Sequence, residues 1–148
     1  MTAYDSIAYP NQPFRQTSPD IVAPIAAWHG LTPAPPSRCR MLEVACGAGG
    51  NLIPLAARYP ESTFVGIDLA GTAIAQAQRD AAALELTNIE FRHQDLMEFP
   101  ADRGGAFDYI AAHGFYSWVP AAVRAKFLDV CRTHLAPQGV AYVSYNAY

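Results

Sequence analysis

Residues 41–52 read Met41-Leu-Glu-Val-Ala-Cys-Gly-Ala-Gly-Gly-Asn-Leu52, and residues 65–68 read Val65-Gly-Ile-Asp68. The run from Met41 to Ala45 is apolar except for Glu43, which predicts a buried strand. Glycines follow, and they adopt backbone angles closed to other residues. Residues 52–59 then have the apolar spacing of a helix. This order of strand, glycine turn and helix predicts a turn that presents backbone amides to a ligand.

Asp68 stands at the end of the next apolar run, residues 63–67. In an open parallel sheet, this strand end is where a carboxylate binds the ribose hydroxyls of a nucleoside cofactor. The acid and the glycine turn together predict a cofactor that contains a ribose.

The spacing of the glycines separates the classes of ribose cofactor. The dinucleotide fingerprint Gly-x-Gly-x-x-Gly uses its third glycine for close helix packing beneath a pyrophosphate. Gly47 and Gly49 fit the first two positions, but Leu52 occupies the third. A Walker loop is excluded because no Gly-Lys-Ser/Thr follows the turn. An NAD-dependent oxidoreductase therefore stays only as a less favoured alternative.

The pattern of Glu43, then Cys46-Gly-Ala-Gly49, then Asp68 resembles motif I and the following acidic strand end of the class I S-adenosylmethionine-dependent methyltransferases. In that family the turn carries no phosphate, and its glycines make room for the methionine part of the cofactor. The resemblance therefore implies S-adenosyl-L-methionine as cofactor. The cofactor-binding residues that it implies are Tyr9, Glu43, Ala45, Cys46, Gly47, Gly49, Asn51, Asp68, Leu69, Gln94, Asp95, Leu96 and His113. We expect Cys46 to contribute only its backbone.

The resemblance extends from about Tyr4 to Tyr148. Residues 94–96 resemble the family segment in which an acid meets the adenine amino group. Residues 107–120 resemble the fourth strand and the loop that lines the methyl-transfer site. This loop supplies the implied catalytic residues, which are His113, Tyr116 and Trp118.

A narrower similarity is carried by four segments. They are Tyr9-Pro10, the Gly-Gly-Asn-Leu turn, residues 112–120 and residues 142–146. They are similar to bacterial methyltransferases that carry an appended methyltransferase regulatory domain, a group that includes protein-lysine methyltransferases. The methyl acceptors that the resemblance implies are a protein, with lysine as one candidate residue, or a small molecule.

Strands and helices alternate along the chain. Predicted helices cover residues 18–29, 52–59 and 71–86 and a stretch from near Ser117 to before Pro137, and predicted strands cover residues 41–45, 63–67, 89–92, 107–112 and 140–145. Short connections between them indicate a parallel sheet with right-handed crossovers. The expected fold is α/β, a Rossmann-like three-layer α/β/α sandwich with a mostly parallel sheet.

We expect one methyltransferase domain over residues 1–148, with an N-terminal arm (1–17), a helix (18–30) and a cofactor-binding core (38–148). The arm carries Tyr4, Tyr9 and Phe14 and is expected to be a lid, with a disordered tail as the alternative. The family's catalytic domain adds a sixth and a seventh strand, so we expect a chain truncated before these two strands. The fifth strand is then an exposed edge that favours self-association.

Composition excludes several partners. The 148 residues have a net charge of −3 at pH 7 and no run of lysine or arginine, which disfavours nucleic acid and anionic membranes. No stretch approaches the roughly 20 apolar residues of a membrane span. The 3 cysteines lack metal-ligand spacing, so no metal is expected. We expect a cytoplasmic protein.

The chemistry implied by the resemblance is in-line displacement at a methyl group that is already activated. Such a reaction needs alignment, and His113 or a tyrosine hydroxyl takes or orients the proton of the acceptor. A nucleic-acid amine methylase is disfavoured because no Asn/Asp-Pro-Pro-aromatic segment follows the fourth strand. A cofactor-binding or regulatory module without activity stays as an alternative, because fold alone does not separate it from an enzyme.

Overall fold

The computed structural model describes residues 11–101 and 106–147. Its α-helices are α1 (Pro19–Trp28), α2 (Leu52–Arg58), α3 (Gly71–Ala83) and α4 (Ala121–His134). Its strands are β1 (Arg40–Val44), β2 (Thr63–Asp68), β3 (Ile89–His93), β4 (Phe107–Ala112) and β5 (Leu135–Val143). Short 3-10 helices cover Arg15–Thr17, Leu96–Glu98 and Tyr116–Trp118.

The strands form one sheet in the order β3-β2-β1-β4-β5, and every pair is parallel. This arrangement confirms the predicted α/β fold. β1 lies between β2 and β4, so the chain leaves β1 toward one edge of the sheet and later returns to the other. The crevice beyond the carboxyl ends of such strands is where open α/β sheets bind ligands.

Helices cover both faces of the sheet, because successive strand residues point to opposite sides. Met41 of β1 belongs to the core on the face covered by α1, α2 and α3, which contribute Val22, Leu52 and Ile74. Leu42 belongs to the opposite core, where α4 contributes buried aromatic and aliphatic side chains. The result is the predicted three-layer sandwich.

The fourth helix begins later than the sequence pattern predicts. Its predicted start near Ser117 is wrong, because Pro120 is the N-cap residue of α4 with an extended backbone. A proline also disfavours helical angles in the residue before it, and Val119 is extended as well. Residues 116–118 therefore form a separate 3-10 helix in the loop after β4.

The fifth strand begins earlier than predicted and is irregular. Phe107 pairs with Leu135, whereas Tyr109 pairs with Val140, so β5 has several extra residues between these two pairs. Residues 137–139, which the sequence pattern leaves between the fourth helix and the fifth strand, therefore form a bulge inside β5. A Cβ at Gly139 would lie 2.9 Å from the carbonyl oxygen of Phe107, so the bulge packs against β4.

β5 lies at one edge of the sheet in the part of the chain that the structure describes. Its predicted self-association stays a prediction. Among residues 11–101 and 106–147, no helix combines the length and the apolar character needed to cross a bilayer. Within the same ranges, no group of His, Cys, Asp and Glu side chains is arranged to hold a metal ion.

Candidate functional site

The turn between β1 and α2 has a strained backbone. Gly47 and Gly49 have φ angles of 55° and 77°, in the left-handed region that glycine tolerates. Ala45 shares this conformation with φ 59°, although a side chain is disfavoured there. Left-handed non-glycine residues persist where the surrounding structure imposes them, often at ligand sites. The strained turn thus stands at the carboxyl end of β1, where the sheet topology predicts a ligand.

The two glycines have different roles. A Cβ at Gly49 would lie 2.5 Å from Cζ of Phe91 and 3.2 Å from Cβ of Ala77, so this glycine permits close packing against β3 and α3. A Cβ at Gly47 would have no described heavy atom within 4 Å. Among the described residues, Gly47 therefore borders open space, which leaves room for a ligand to approach the backbone.

Asp68 joins the glycine turn to the loop after β2. Its Oδ2 accepts a hydrogen bond of 2.8 Å from the Gly47 N–H, and its Oδ1 accepts one of 2.8 Å from the Ala70 N–H. Each carboxylate oxygen has a second lone pair, so Asp68 retains acceptor capacity. The side chain thus holds the turn and remains able to accept hydroxyl donors.

Glu43 is a buried acid with one unpaired oxygen. The residue is 3% exposed, and its Oε1 accepts a 2.7 Å hydrogen bond from Nδ2 of Asn51. Its Oε2 has no hydrogen-bond partner in the described part of the chain. Burial raises the pKa of Glu43 to about 8. The charge of Asp68 also raises this pKa, whereas the hydrogen bond from Asn51 lowers it. Buried polar atoms are nearly always hydrogen-bonded, so Oε2 of Glu43 is a candidate contact for a bound group.

Asn51 connects the glycine turn to the segment that precedes α1. Its Nδ2 also donates to Oγ1 of Thr17 at 2.9 Å, and its Oδ1 accepts the N–H of Phe14 at 2.8 Å. Both N–H groups of the Asn51 side-chain amide therefore donate within the protein. Only the backbone and one lone pair of Oδ1 remain for a cofactor, and cofactor binding by Asn51 stays a prediction. Asn11 also connects this segment to the glycine turn, because its Oδ1 accepts a hydrogen bond of 2.6 Å from the Gly50 N–H.

The segment after β3 lies beside Asp68. The Gln94 N–H donates to the Asp68 carbonyl oxygen at 3.0 Å. Asp95 caps the following 3-10 helix, since its Oδ1 accepts the Met97 N–H at 2.8 Å. Leu96 is buried at 5% exposure, so its side chain belongs to the core and only its backbone is available to a ligand.

Two further residues predicted to bind the cofactor lie near these loops. Leu69 is 36% exposed and follows Asp68 directly. Cys46 is buried, and its N–H donates to the Ile67 carbonyl oxygen at 3.1 Å. Burial raises the pKa of the Cys46 thiol well above its usual value, so the thiol is an inert packing group.

His113 follows β4 and contacts aromatic residues from two other segments. Its ring centroid lies 4.0 Å from that of Phe14 and 6.1 Å from that of Tyr142. The Tyr142 hydroxyl lies 3.4 Å from Nδ1. Partial burial lowers the pKa of His113 below its usual value. The imidazole is therefore mainly neutral near pH 7.

Tyr116 and Trp118, the other two predicted catalytic residues, are not grouped with His113 in the described part of the chain. The Tyr116 ring packs edge-on against Phe127 of α4, and the Arg124 guanidinium lies 5.9 Å from its centroid. Trp118 is 72% exposed. Neither ring contacts His113 in the described ranges, so their catalytic roles stay predictions. Tyr4 and Tyr9 lie outside the described residues.

The acid and the imidazole stand at one end of neighbouring strands. Glu43 of β1 pairs in register with Ala111 of β4, and His113 lies two residues after Ala111. Phe14 connects them, because its N–H binds Asn51 and its ring covers His113. The pattern around β1 did not indicate Phe14 or Thr17 as partners of Asn51, because they lie in a proline-containing segment without a periodic pattern.

Comparison with known proteins places this geometry in a family. The family model described as "Methyltransferase domain" matches residues 41–139. The uncharacterized protein RP789 of Rickettsia prowazekii is 42% identical over 143 residues, which are 97% of this chain and 26% of that protein. The trans-aconitate 2-methyltransferase of Deinococcus radiodurans is 30% identical over 125 residues, which are 84% of this chain and 44% of that enzyme.

A solved structure shows the same arrangement. The structure of PKMT2 from Rickettsia typhi in complex with AdoHcy matches with a TM-score of 0.88 and 35% identity. The match covers 94% of this chain and 27% of that one. The chain thus spans less than half the length of each of these three proteins.

Proposed function

The chain belongs to the class I S-adenosylmethionine-dependent methyltransferases, whose domain model matches residues 41–139, and on this basis we propose that it binds S-adenosyl-L-methionine and transfers the methyl group to an acceptor. The observation that carries the proposal is the glycine turn, which is open at Gly47 and is held by Asp68, together with the buried Glu43, whose Oε2 has no hydrogen-bond partner in the described part of the chain. The complex of PKMT2 with AdoHcy supports the same cofactor.

The residues present fit this cofactor. Asp68 has free lone pairs for the ribose hydroxyls, and Gly47 leaves the backbone accessible. Glu43 supplies an acceptor toward a cationic group, and a positive charge nearby lowers the pKa of a carboxyl. Glu43 thus holds a proton in the free chain and releases it when a cationic group binds beside Oε2.

Bound S-adenosylmethionine supplies a methyl group activated by its sulfonium sulfur. The contribution of the protein is alignment, which supplies roughly 7–11 kcal/mol of barrier lowering when the geometry is favourable. The cofactor would supply the methyl carbon to a lone pair of the acceptor, with the thioether as the leaving group, and the acceptor would lose one proton. His113 receives or orients that proton, since its lowered pKa leaves the imidazole neutral and able to accept.

Two classes of acceptor remain within the proposal. The resemblance to methyltransferases with a regulatory domain, a group that includes protein-lysine methyltransferases, supports a protein acceptor. The similarity to trans-aconitate 2-methyltransferase supports a small molecule. Transfer of labelled methyl groups to a cell extract, separated into protein and small-molecule fractions, distinguishes the two. A chain that binds the cofactor and labels neither fraction would be a binding module.

Calorimetric titration with S-adenosylmethionine, S-adenosylhomocysteine and NAD tests the cofactor. We expect micromolar binding of the first two and none of NAD. Asp68→Ala is expected to weaken binding by about 1–3 kcal/mol, the range for hydrogen bonds to a charged group. The matched control is Asp129→Ala, which removes an exposed carboxylate on α4 and is expected to bind normally.

Three results would contradict this assignment. They are NAD binding in place of the sulfur cofactors, equal loss of affinity in the two variants, and absence of binding by a folded chain. Circular dichroism establishes folding for each protein. This check matters because Asp68 also holds the Gly47 and Ala70 amides, so its loss loosens the turn as well.

A further inference from the structure

Asn51 lies between the buried acid of the candidate site and the segment of residues 11–17. Its side-chain amide is hydrogen-bonded to Phe14, Thr17 and Glu43. The Phe14 N–H can only donate, so the amide atom that faces it is the acceptor Oδ1. Nδ2 therefore faces Glu43 and Thr17, to which it donates at 2.7 and 2.9 Å. A backbone donor thus fixes the orientation of this amide.

The hydroxyl of Thr17 closes the network on the side of the segment. A carbonyl oxygen can only accept, so Oγ1 of Thr17 donates to the Phe14 carbonyl oxygen at 2.8 Å and accepts from Asn51. Thr17 is buried, and both the N–H and the carbonyl oxygen of Phe14 are bound in this network. The orientation of Asn51 and the position of the segment therefore depend on each other.

The two carboxylate oxygens of Glu43 have different surroundings. Oε1 accepts the hydrogen bond from Asn51, whereas Oε2 has no hydrogen-bond partner in residues 11–101 and 106–147. A cationic group beside Oε2 favours the ionised form of the carboxyl. A hydrogen bond to an ionised carboxylate is stronger than one to a neutral carboxyl. The bond from Asn51 to Oε1 therefore strengthens when a cationic group binds at Oε2.

We propose that Asn51 is a positioning residue, which couples binding of a cationic group at Oε2 of Glu43 to docking of residues 11–17 on the glycine turn. The inference rests on the proposed function, in which the sulfur cofactor supplies that group, and deepens it. The Asn51 side chain then acts through Glu43 and does not itself bind the cofactor. Because coupling is reciprocal, docking of the segment strengthens cofactor binding by the factor by which the cofactor strengthens docking.

Trypsin cleavage after Arg15 measures docking of the segment. Arg15 is exposed, but its peptide bond lies in the 3-10 helix of residues 15–17, which has to open before a protease can cut it. Cleavage then follows the population of the open segment, and mass spectrometry identifies the product that begins at Gln16. At pH 7 we expect saturating S-adenosylmethionine to slow this cleavage of the wild type by about five- to tenfold, the difference between a charged and a neutral hydrogen bond.

Glu43→Gln keeps the shape of the side chain and removes its charge. We expect the free variant to be cleaved after Arg15 at the wild-type rate, because the raised pKa of Glu43 keeps the wild-type carboxyl largely neutral at pH 7. Saturation with S-adenosylmethionine, established by calorimetry, is expected to slow its cleavage by less than about twofold, since the hydrogen bond from Asn51 stays neutral. A residue that only filled space at Glu43 would leave the two proteins equal in both states.

Asn51→Asp tests the amide itself. Aspartate has nearly the same shape and still accepts the Phe14 N–H, but it cannot donate to Glu43 or Thr17. We expect faster cleavage after Arg15 in the free variant and again less than about twofold slowing by the cofactor.

Asn11→Ala is the matched control. Asn11 docks the same segment by accepting the Gly50 N–H, and this bond does not involve Glu43 or Asn51. We expect this variant to be cleaved faster than the wild type both with and without cofactor. The cofactor should still slow its cleavage by about five- to tenfold, because the coupling through Asn51 is intact.

The inference is overturned if saturating S-adenosylmethionine protects Glu43→Gln as strongly as the wild type, which would mean that the cofactor covers the segment directly. It is also overturned if the wild type binds the cofactor without any slowing of cleavage after Arg15. If Asn51→Asp does not fold, the comparison of the wild type with Glu43→Gln still decides the matter. Failure of the proposed function has a different signature, namely absence of cofactor binding by the folded wild type in calorimetry, and the inference fails with it.

Discussion

Glu43→Gln is expected to remove most of the pH dependence of stability in the free chain between about pH 4.5 and 8. The raised pKa of Glu43 means that the folded chain keeps a proton which the unfolded chain has already lost above pH 4.5. Stability is therefore fully present below pH 4.5 and is lost as pH rises toward 8. Glutamine keeps the shape and stays neutral throughout.

The magnitude follows from the size of the shift. Moving the pKa from 4.5 to about 8 corresponds to about 5 kcal/mol at 1.36 kcal/mol per unit. The slope in this range is about 1.4 kcal/mol per pH unit. This loss is large beside a total stability of roughly 5–15 kcal/mol. Near neutral pH the raised pKa of Glu43 thus lowers the stability of the free chain, and we expect a bound cationic ligand to offset this loss.

Urea unfolding at pH 5, 6, 7 and 8 measures the effect as a difference between the two proteins. We expect Glu43→Gln to be no more stable than the wild type at pH 5 and more stable by several kcal/mol at pH 8. Glu61→Gln, at an exposed loop position, is the control and is expected to follow the wild type. The reasoning would be refuted if the difference in free energy of unfolding between the wild type and Glu43→Gln did not change with pH.

Proton release on binding provides a second readout of the same group. At pH 7 the carboxyl is largely protonated in the free chain and ionises when a cationic group binds beside it. Calorimetry of S-adenosylmethionine binding in buffers with different ionisation enthalpies is expected to show release of nearly one proton by the wild type and none by Glu43→Gln. Equal release by both proteins would exclude Glu43 as the source.

Three further substitutions test the turn. Ala45→Gly is expected to raise the free energy of unfolding in urea by about 0.5–1 kcal/mol, because relief of the backbone strain at φ 59° exceeds the added entropy of the unfolded chain. Glu85→Gly, at φ 55°, is the matched comparison. Gly49→Ala is expected to destabilise by about 2–5 kcal/mol in the same assay, since its Cβ would lie 2.5 Å from the Phe91 ring; a cost below 1 kcal/mol would contradict the packing argument. Asn51→Ala removes hydrogen bonds to the buried Thr17 and Glu43 and to the half-buried Phe14, and it is expected to lower the free energy of unfolding by about 2–4 kcal/mol and to speed proteolysis before α1. Unchanged cleavage there would show that Asn51 does not hold the segment.

Most of the fold followed from local patterns. Apolar runs and helical spacing predicted every strand and every α-helix of the described chain, and the glycine turn after Glu43 predicted the position of a candidate site, whose role in binding stays a prediction. These signals are readable because side-chain periodicity reports burial within a few residues. The late start of α4 was also locally encoded, since Pro120 disfavours a helical residue before it. The bulge in β5 was not, because it depends on how two strands align.

The sequence alone established the class of fold, the strand ends that carry Glu43 and Asp68, and the resemblance to a family. Only the tertiary structure revealed that Asn51 binds both Glu43 and Phe14, and Phe14 lies 37 residues before Asn51 in the chain. It also placed Tyr142 beside His113, 29 residues earlier. Hydrogen bonds and ring contacts over such separations depend on how the arm and the edge strand pack onto the sheet. No periodic pattern records that packing, because periodicity describes neighbours along the chain and not across it.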